Sequence, residues 1–571
     1  MKRKNLYLLL VLVSINYSAY SQKLLSKLVA KTAGAQTSNA PVVSKLSDIT
    51  PTIGYSSNLH PVEVGTVSQS FFEGWKTGAE LIFVLLNNNN NIASSKVDGK
   101  VTIDGNEAAF SSAGIYYIVA DPTNAPRKVE ITTLSGEKSS FVLEPNKKQF
   151  KIKSINGLSE EIILDLSKDV EIELDDTNIP ENTLLKVSIA INQVGIKSTY
   201  DVCYIKKGSK ITVPAAAFRN INIQRDGKFK KSFISIGIDD EKPVTSLEGN
   251  IKSLYYTSNY SDGKIVTVKV EPKLNLGLEA KGKEGQMEYQ ILKPNAFTSR
   301  PFSHIKKLGF SSFSIKGTTY IQSSVIVQDK NVEKDLAQTT KTTTIIFPKQ
   351  SDEVWNAVLS KMLPEVSKTF QTEFQATVAS IDDISKQSSF KKINSFVENS
   401  NTEKEFVKGI GASKHLNPLT HLETYGINSL QEQLMKESNT DGLCKVNLEL
   451  IISEDKEKAF LTPKFTYEIT GKINGVMTNT KYVSGTITGT PIESDLIGLT
   501  IEYSSSGGGK AFKKDQKNVI NTPASSISAE QLEKLIRSSD ILVTFSKSLK
   551  QIIEAEKLNG DYEIVWNLQK L

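Results

Sequence analysis

Hydrophobic and polar positions change their spacing once along this chain of 571 residues. Between positions 75 and 347, apolar residues come in short runs or alternate with polar ones, which predicts strands. From position 351 they recur at steps of three and four, which predicts a helix.

The first strand signal is the continuous apolar run 81–86, the pattern of a buried strand. Segments 99–105, 114–120 and 128–134 follow, each β-branched or aromatic and closed by Gly, Pro or Asp. Further strands are expected at 162–164, 170–174, 184–191, 200–205, 210–213 and 232–238. The last of these is expected to end at a junction, Asp239-Asp240-Glu241 before Pro243. A third group lies at 264–270, 285–292, 313–327 and 342–347. Residues 23–74 show weak periodicity and read as a linker or loosely tied arm. Asn87 to Asn91 read as an exposed turn.

The segment 351–387 carries one apolar stripe, including Trp355, Val358, Leu359, Met362, Val366, Phe370 and Phe374. Ser351 stands at the N-cap position, and Asp352 and Glu353 suit the positive end of the helix dipole. Pro364 removes a backbone donor, so a kink or two abutting helices is expected near Leu363. Segments 391–411 and 423–437 read as helical. Alternation then becomes strict. Cys444, Val446, Leu448, Leu450 and Ile452 face one way, as do Phe465, Tyr467 and Ile469, and Ile497, Leu499, Ile501 and Tyr503. Tyr562, Ile564, Trp566 and Leu568 give the same pattern and predict a final strand. A one-sided sheet needs a cover. The 351 helix and a helix opened by the capping box Ser528 to Gln531 and closed at Gly560 can supply it.

These patterns predict a multidomain, β-rich chain: N-terminal antiparallel β-sandwich modules in the style of immunoglobulin-like domains, then a two-layer α+β domain. The expected division is a leader at 1–21, an arm at 22–74, β modules at 75–150, 151–244 and 245–348, and the α+β domain at 349–571.

Composition adds a compartment. Lys2, Arg3 and Lys4, an apolar core from Leu6 to Ile15, and Ala19-Tyr20-Ser21 form a Sec-type leader with cleavage expected after Ser21. Export to the periplasm or beyond the cell is therefore expected, with no membrane-spanning segment after cleavage. Loss of the three leader cations takes the net charge from +6 to +3. With only six arginines in the chain, that excess is too small to indicate nucleic acid. Cys203 and Cys444 fall in different expected domains and read as two buried thiols, a disulfide being the alternative.

Candidate chemistry is sparse. His60 and His304 are isolated, and His415, His421 and Glu423 form the one metal-like grouping, with Pro418 breaking any shared helix face. Asp239-Asp240-Glu241 and Asp175-Asp176-Thr177-Asn178 are oxygen-rich without calcium-loop spacing. Gly507-Gly508-Gly509-Lys510 has Ser504 and Ala511 where a phosphate loop needs Gly and Ser or Thr. Ser303 to Lys306 and Ser388 to Lys391 match a Ser-x-x-Lys spacing that chance supplies in a lysine-rich chain. No catalytic residue, metal ligand or cofactor is assigned. The expectation is an exported bacterial cell-envelope protein, non-catalytic, acting in binding, adhesion or envelope assembly with envelope proteins or glycans as partners. The alternative is an exported hydrolase of polysaccharide or peptide working through Asp and Glu.

Overall fold

The computed structural model describes residues 42–60, 76–88, 95–111, 114–175, 179–193, 196–208, 210–221, 231–251, 254–327, 338–393, 404–416, 430–473, 477–506 and 516–569. Among the described residues the structure is β-rich, 52% strand and 21% helix, with several sheets and a few C-terminal helices. It divides into two compact units. One comprises Met1–Leu276, Asn474–Met477 and Asp561–Leu571; the other comprises Gly277–Ile473 and Thr478–Gly560. The leader lies outside the described residues, as do His421, Glu423, Asp176 to Asn178 and Gly507 to Lys510.

The first unit is organised on a nine-stranded sheet. Its main strands are β1 (Ile49–Ser57), β2 (Glu80–Asn88), β3 (Ile115–Ala120), β4 (Leu184–Gln193), β5 (Ile196–Lys206), β6 (Lys231–Pro243) and β7 (Tyr255–Val270). They stand in the order β5-β4-β6-β7-β1-β2-β3. The β7–β1 pair is parallel, and the other neighbours are antiparallel. A five-stranded sheet containing Gly99–Ile103, Arg127–Thr133 and Lys138–Leu143 lies against one part of it. One core cluster joins Ile53, Tyr55, Ile82 and Val84 to Val101, Ile131 and Phe141, so these two sheets pack face to face. A second cluster joins Leu185, Val187, Ile234 and Ile236 to Ile152, Ile172 and Ile211 of a three-stranded sheet.

Strands from all three expected β segments therefore stand side by side in one sheet, and the compact units cut the chain elsewhere than its composition does. The expected arm supplies β1, near the middle of that sheet. Its sequence hides this, because Pro51, Gly54 and two serines interrupt the apolar pattern. Pairing to β7 begins only at Ile53, beyond Pro51. β6 also runs past the expected junction, carrying Asp239, Asp240 and Glu241 within the strand.

The second unit is a mixed sheet covered by helices. Its strands β8 (Gly277–Glu284), β9 (Met287–Pro294), β10 (Lys307–Thr318), β11 (Gly442–Asp455), β12 (Lys458–Ile473) and β13 (Met477–Gly489) stand in the order β8-β9-β13-β12-β11-β10. The β10–β11 pair is parallel. The expected alternation holds: Cys444, Val446, Leu448, Leu450 and Ile452 are all buried, while Ile451 is exposed. The cover is α1 (Asp352–Phe374), α2 (Ala529–Ile536) and α3 (Ser538–Asn559). Phe370 of α1 and Phe545 of α3 meet with ring centroids 5.4 Å apart, and both rings pack on Tyr467 of β12. Ser528 and Gln531 form the predicted capping box.

Several local expectations are corrected. α1 runs through Pro364 as one helix and ends at Gln375, which adopts a left-handed conformation at φ 55°. The stripe beyond it belongs to a separate short helix, Ile381–Ser385, capped by Ser380. Ser351 is at the N-cap position, but its side chain caps no backbone N–H. The segment expected to be helical at 391–411 contains the strand Glu405–Gly409. The last expected strand is a helix, Asp561–Gln569. Asp561, Tyr562, Val565 and Trp566 are its buried residues, and Ile564 is exposed. Steps of three and four thus prevail over a period of two that the short apolar run had equally allowed.

Candidate functional site

The outward face of the second unit's sheet is polar because the same alternation that buries Cys444 and Val446 turns Lys445 and Asn447 the other way. A concave site of about 230 Å³ opens on this face. Its floor is formed by Lys445 and Asn447 of β11, Thr466 and Glu468 of β12, and Ser484 and Thr486 of β13. Lys316 of β10 and the segment His415-Leu416 complete its lining.

Backbone pairing places these groups. Lys445 is opposite Glu468, and Asn447 is opposite Thr466, across the antiparallel β11–β12 pair. Ser314 of β10 stands beside Asn447, and Lys316 beside Glu449, across the parallel pair. The segment bearing His415 is tied to β10: Phe313 N donates to Ser413 Oγ at 2.7 Å, and Ser312 Oγ donates to Lys414 O at 2.7 Å. The Lys414 ammonium donates to the carbonyls of Phe390 and Ile393, at 2.8 and 2.6 Å, and so fixes the other side of the segment.

Charges on this face are arranged in two bridges. Glu468 lies 3.0 Å from Lys445 and 2.6 Å from Lys481. Glu449 lies 3.2 Å from Lys316 and 3.6 Å from Lys464. Burial pushes the Lys445 amine below its ordinary value, and the neighbouring Glu468 carboxylate opposes that shift without cancelling it.

His415 is buried, and its Nδ1 lies 2.8 Å from Ser314 Oγ. The Ser314 hydroxyl donates to Asn447 Oδ1 at 3.3 Å. The direction of the Ser314–His415 bond follows from which ring nitrogen carries the proton. Ser314 is only 1% exposed and does not line the concavity, so its hydroxyl is not presented to an incoming ligand.

The remaining residues singled out in the sequence are dispersed. His60 lies tilted against Phe233, with ring centroids 5.1 Å apart, and its Nε2 lies 3.6 Å from Asp262. Asp239 pairs with Lys186 at 2.6 Å, and Asp240 pairs with Lys148 at 2.8 Å. Being adjacent on β6, the two carboxylates leave opposite faces and do not converge. Ser388 donates to Glu437 at 2.6 Å. His304 lies in the short 3-10 turn Phe302–His304, apart from the site. Cys203 and Cys444 are both free and buried, and burial raises both thiols. Among the described residues, no group of three or more His, Cys, Asp or Glu is placed to hold a metal ion, and no helix is long and apolar enough to cross a membrane.

Sequence reasoning reached His415 through its nearness to His421 and missed the rest of the site. Lys316, Lys445, Asn447, Glu468 and Thr486 come from four strands, and only their outward alternation was readable. No family model matches the chain, and no curated protein is similar to it.

Proposed function

We propose that this chain is an exported bacterial cell-envelope protein that binds its ligand without transforming it, and that the ligand is a small hydroxyl-rich molecule such as a glycan fragment. The site on the outer face of the second unit's sheet carries this reading. Hydroxyls and an amide from Asn447, Thr466, Ser484 and Thr486 line a concavity flanked by charged pairs. Its volume lies below the ~300–1,000 Å³ of sites for drug-sized ligands, which suits one sugar-sized group. The first unit, with sheets packed face to face, serves in this reading as a β-sandwich support in the immunoglobulin-like style. The leader at 1–21 supports the envelope location. The test is binding of the mature protein to a panel of envelope glycan fragments, with Thr486→Val as the site control. Binding lost in the variant supports the reading; binding to none of the panel overturns it.

The contact between Ser314 and His415 favours a second reading, an exported hydrolase, because a hydroxyl within hydrogen-bond reach of an imidazole is the nucleophile–base pairing. The burial of Ser314 weighs against it. Release of product from polysaccharide or peptide substrates that Ser314→Ala abolishes would establish it in place of the first.

A further inference from the structure

Lys186 of β4 and Asp239 of β6 form an ion pair of 2.6 Å whose side chains are only 10% and 14% exposed. Antiparallel pairing sets Lys186 opposite Gly237, two residues before Asp239 on the same face of β6. The lysine stem crosses at Gly237, where a Cβ would stand 3.6 Å from Lys186 Cε, and so reaches the carboxylate. Asn259 of β7 stands opposite Asp239, and its Nδ2 donates to Asp239 Oδ1. Asp201 of β5 stands opposite Ser188, two residues from Lys186 on β4, and accepts from the Ser188 hydroxyl at 2.9 Å. One face of the sheet thus gathers an amine, a carboxyl carbon, an amide donor and a second carboxylate.

From this arrangement we propose that Lys186 and Asp239 condense into an amide cross-link between β4 and β6, with Asp201 moving the protons and Asn259 holding the carbonyl oxygen. The ion pair already contains the atoms of one amide and one water. One proton passes from the ammonium to Asp239 Oδ2, and the freed Nζ electron pair forms a bond to Cγ. Asn259 Nδ2 stabilises the negative charge that gathers on Oδ1. A second Nζ proton passes through Asp201 to Oδ2. The Cγ–Oδ2 bond breaks, its electron pair leaves with the oxygen as water, and the third proton stays on the amide nitrogen. The balance closes with no oxidant, reductant or outside reactant. Two effects favour the product. The amine and carboxyl are held together by the fold, which removes the entropy cost of an encounter. Two buried charges, each costly to keep out of water, become one neutral group. Burial acts against the Lys186 charge, but Asp239 and Asp201 hold the ammonium above its ordinary range, so closure starts from the charged pair and needs a proton acceptor. The link closes the loop that contains β5. It is a staple that the thiols do not supply, since Cys203 and Cys444 are both free.

The experiment is mass spectrometry of the denatured mature chain, intact and after trypsin. The intact chain is expected to be lighter than its sequence by one water. Trypsin is expected to leave Lys186 uncut, in a peptide joined to the one that carries Asp239. Lys186→Met and Asp239→Ala are each expected to restore the full sequence mass. Asp201→Asn is expected to slow closure at least about a hundredfold, the lower scale of general acid–base catalysis, seen as an unlinked fraction that converts with time. An unaltered chain at full sequence mass overturns the inference, as does a missing water that maps to other residues. That arm needs no substitution, so it decides the matter even if Lys186→Met misfolds. Complete closure in Asp201→Asn overturns the role given to Asp201 and leaves the bond in place.

Discussion

The ring of Phe83 occupies the place where a side chain at position 54 would stand. A Cβ built on Gly54 lies 2.1 Å from a ring carbon of Phe83, on the neighbouring strand. Gly54→Ala must push a ring that is itself almost fully buried. The expected cost is about 1–3 kcal/mol, the range for overpacking a formed core. Denaturant melts that resolve the first unit check this, and Phe83→Leu in the same chain should recover part of the loss.

Phe370 anchors α1 to the second sheet. It is fully buried and meets Phe374, Phe545 and Tyr467 at 5.5, 5.4 and 6.4 Å between centroids. Phe370→Ala is expected to destabilise the second unit by about 3–5 kcal/mol. An unchanged midpoint in denaturant would remove α1 from the core.

Lys293 is fully buried with its ammonium 2.8 Å from Glu556, which ties β9 to α3. The same ammonium stands 3.8 Å from the centre of the Phe302 ring and donates to Ser299 Oγ at 2.8 Å. Removing one partner leaves the other charge buried alone. Lys293→Met is therefore expected to cost about 3–5 kcal/mol, and Lys293→Met with Glu556→Leu appreciably less. A double-mutant cycle read by thermal melts measures the difference.

Asp262 gives the first unit an acid-sensitive contact. Burial pushes its carboxyl up, but the His60 imidazole 3.6 Å away and the backbone N–H groups of Ile152 and Gly263 hold it below its ordinary value of 3.8. A carboxylate lowered on folding stabilises at pH above its unfolded value, and that contribution is lost as the pH falls through the folded value. Stability of the first unit is thus expected to hold down to about pH 4 from this contact and to decline below it. Asp262→Asn should flatten that part of the stability profile, measured by denaturant melts from pH 2 to 6.

Ser314 contacts the imidazole of His415 at 2.8 Å and is itself only 1% exposed. A serine-directed phosphonate probe is expected to leave no adduct at Ser314, as intact-mass spectrometry would show. Ser314→Ala is expected to cost about 1 kcal/mol of stability, the scale of one hydrogen bond.

Much of the β content could be read directly. The run at 81–86 is in β2, and the alternation from Cys444 to Ile452 orients β11. The capping box at Ser528 and the stop at Gly560 set the helices of the cover. β1 was not readable, because its interior positions carry Gly54 and Ser56, whose role is set by the neighbouring Phe83 and Asn259. Periodicity gives the face of a strand but not its neighbours. The parallel β10–β11 pair brings Ser314 beside Asn447 across 133 positions of sequence, and His415 reaches Ser314 across 101. A site assembled at such separations leaves no local motif, so its residues were visible only as outward-facing polar letters.

The helix Asp561–Gln569 belongs to the first unit although the second unit precedes it in sequence. Asp561 is nearly buried, and its carboxylate receives Arg219 at 3.0 Å and Asn275 at 2.9 Å, while Leu568 packs on the core around Val187 and Ile234. The first unit is thus completed by residues that follow the whole second unit in sequence, and a substitution in Asp561–Gln569 is expected to damage the part of the protein that is made first.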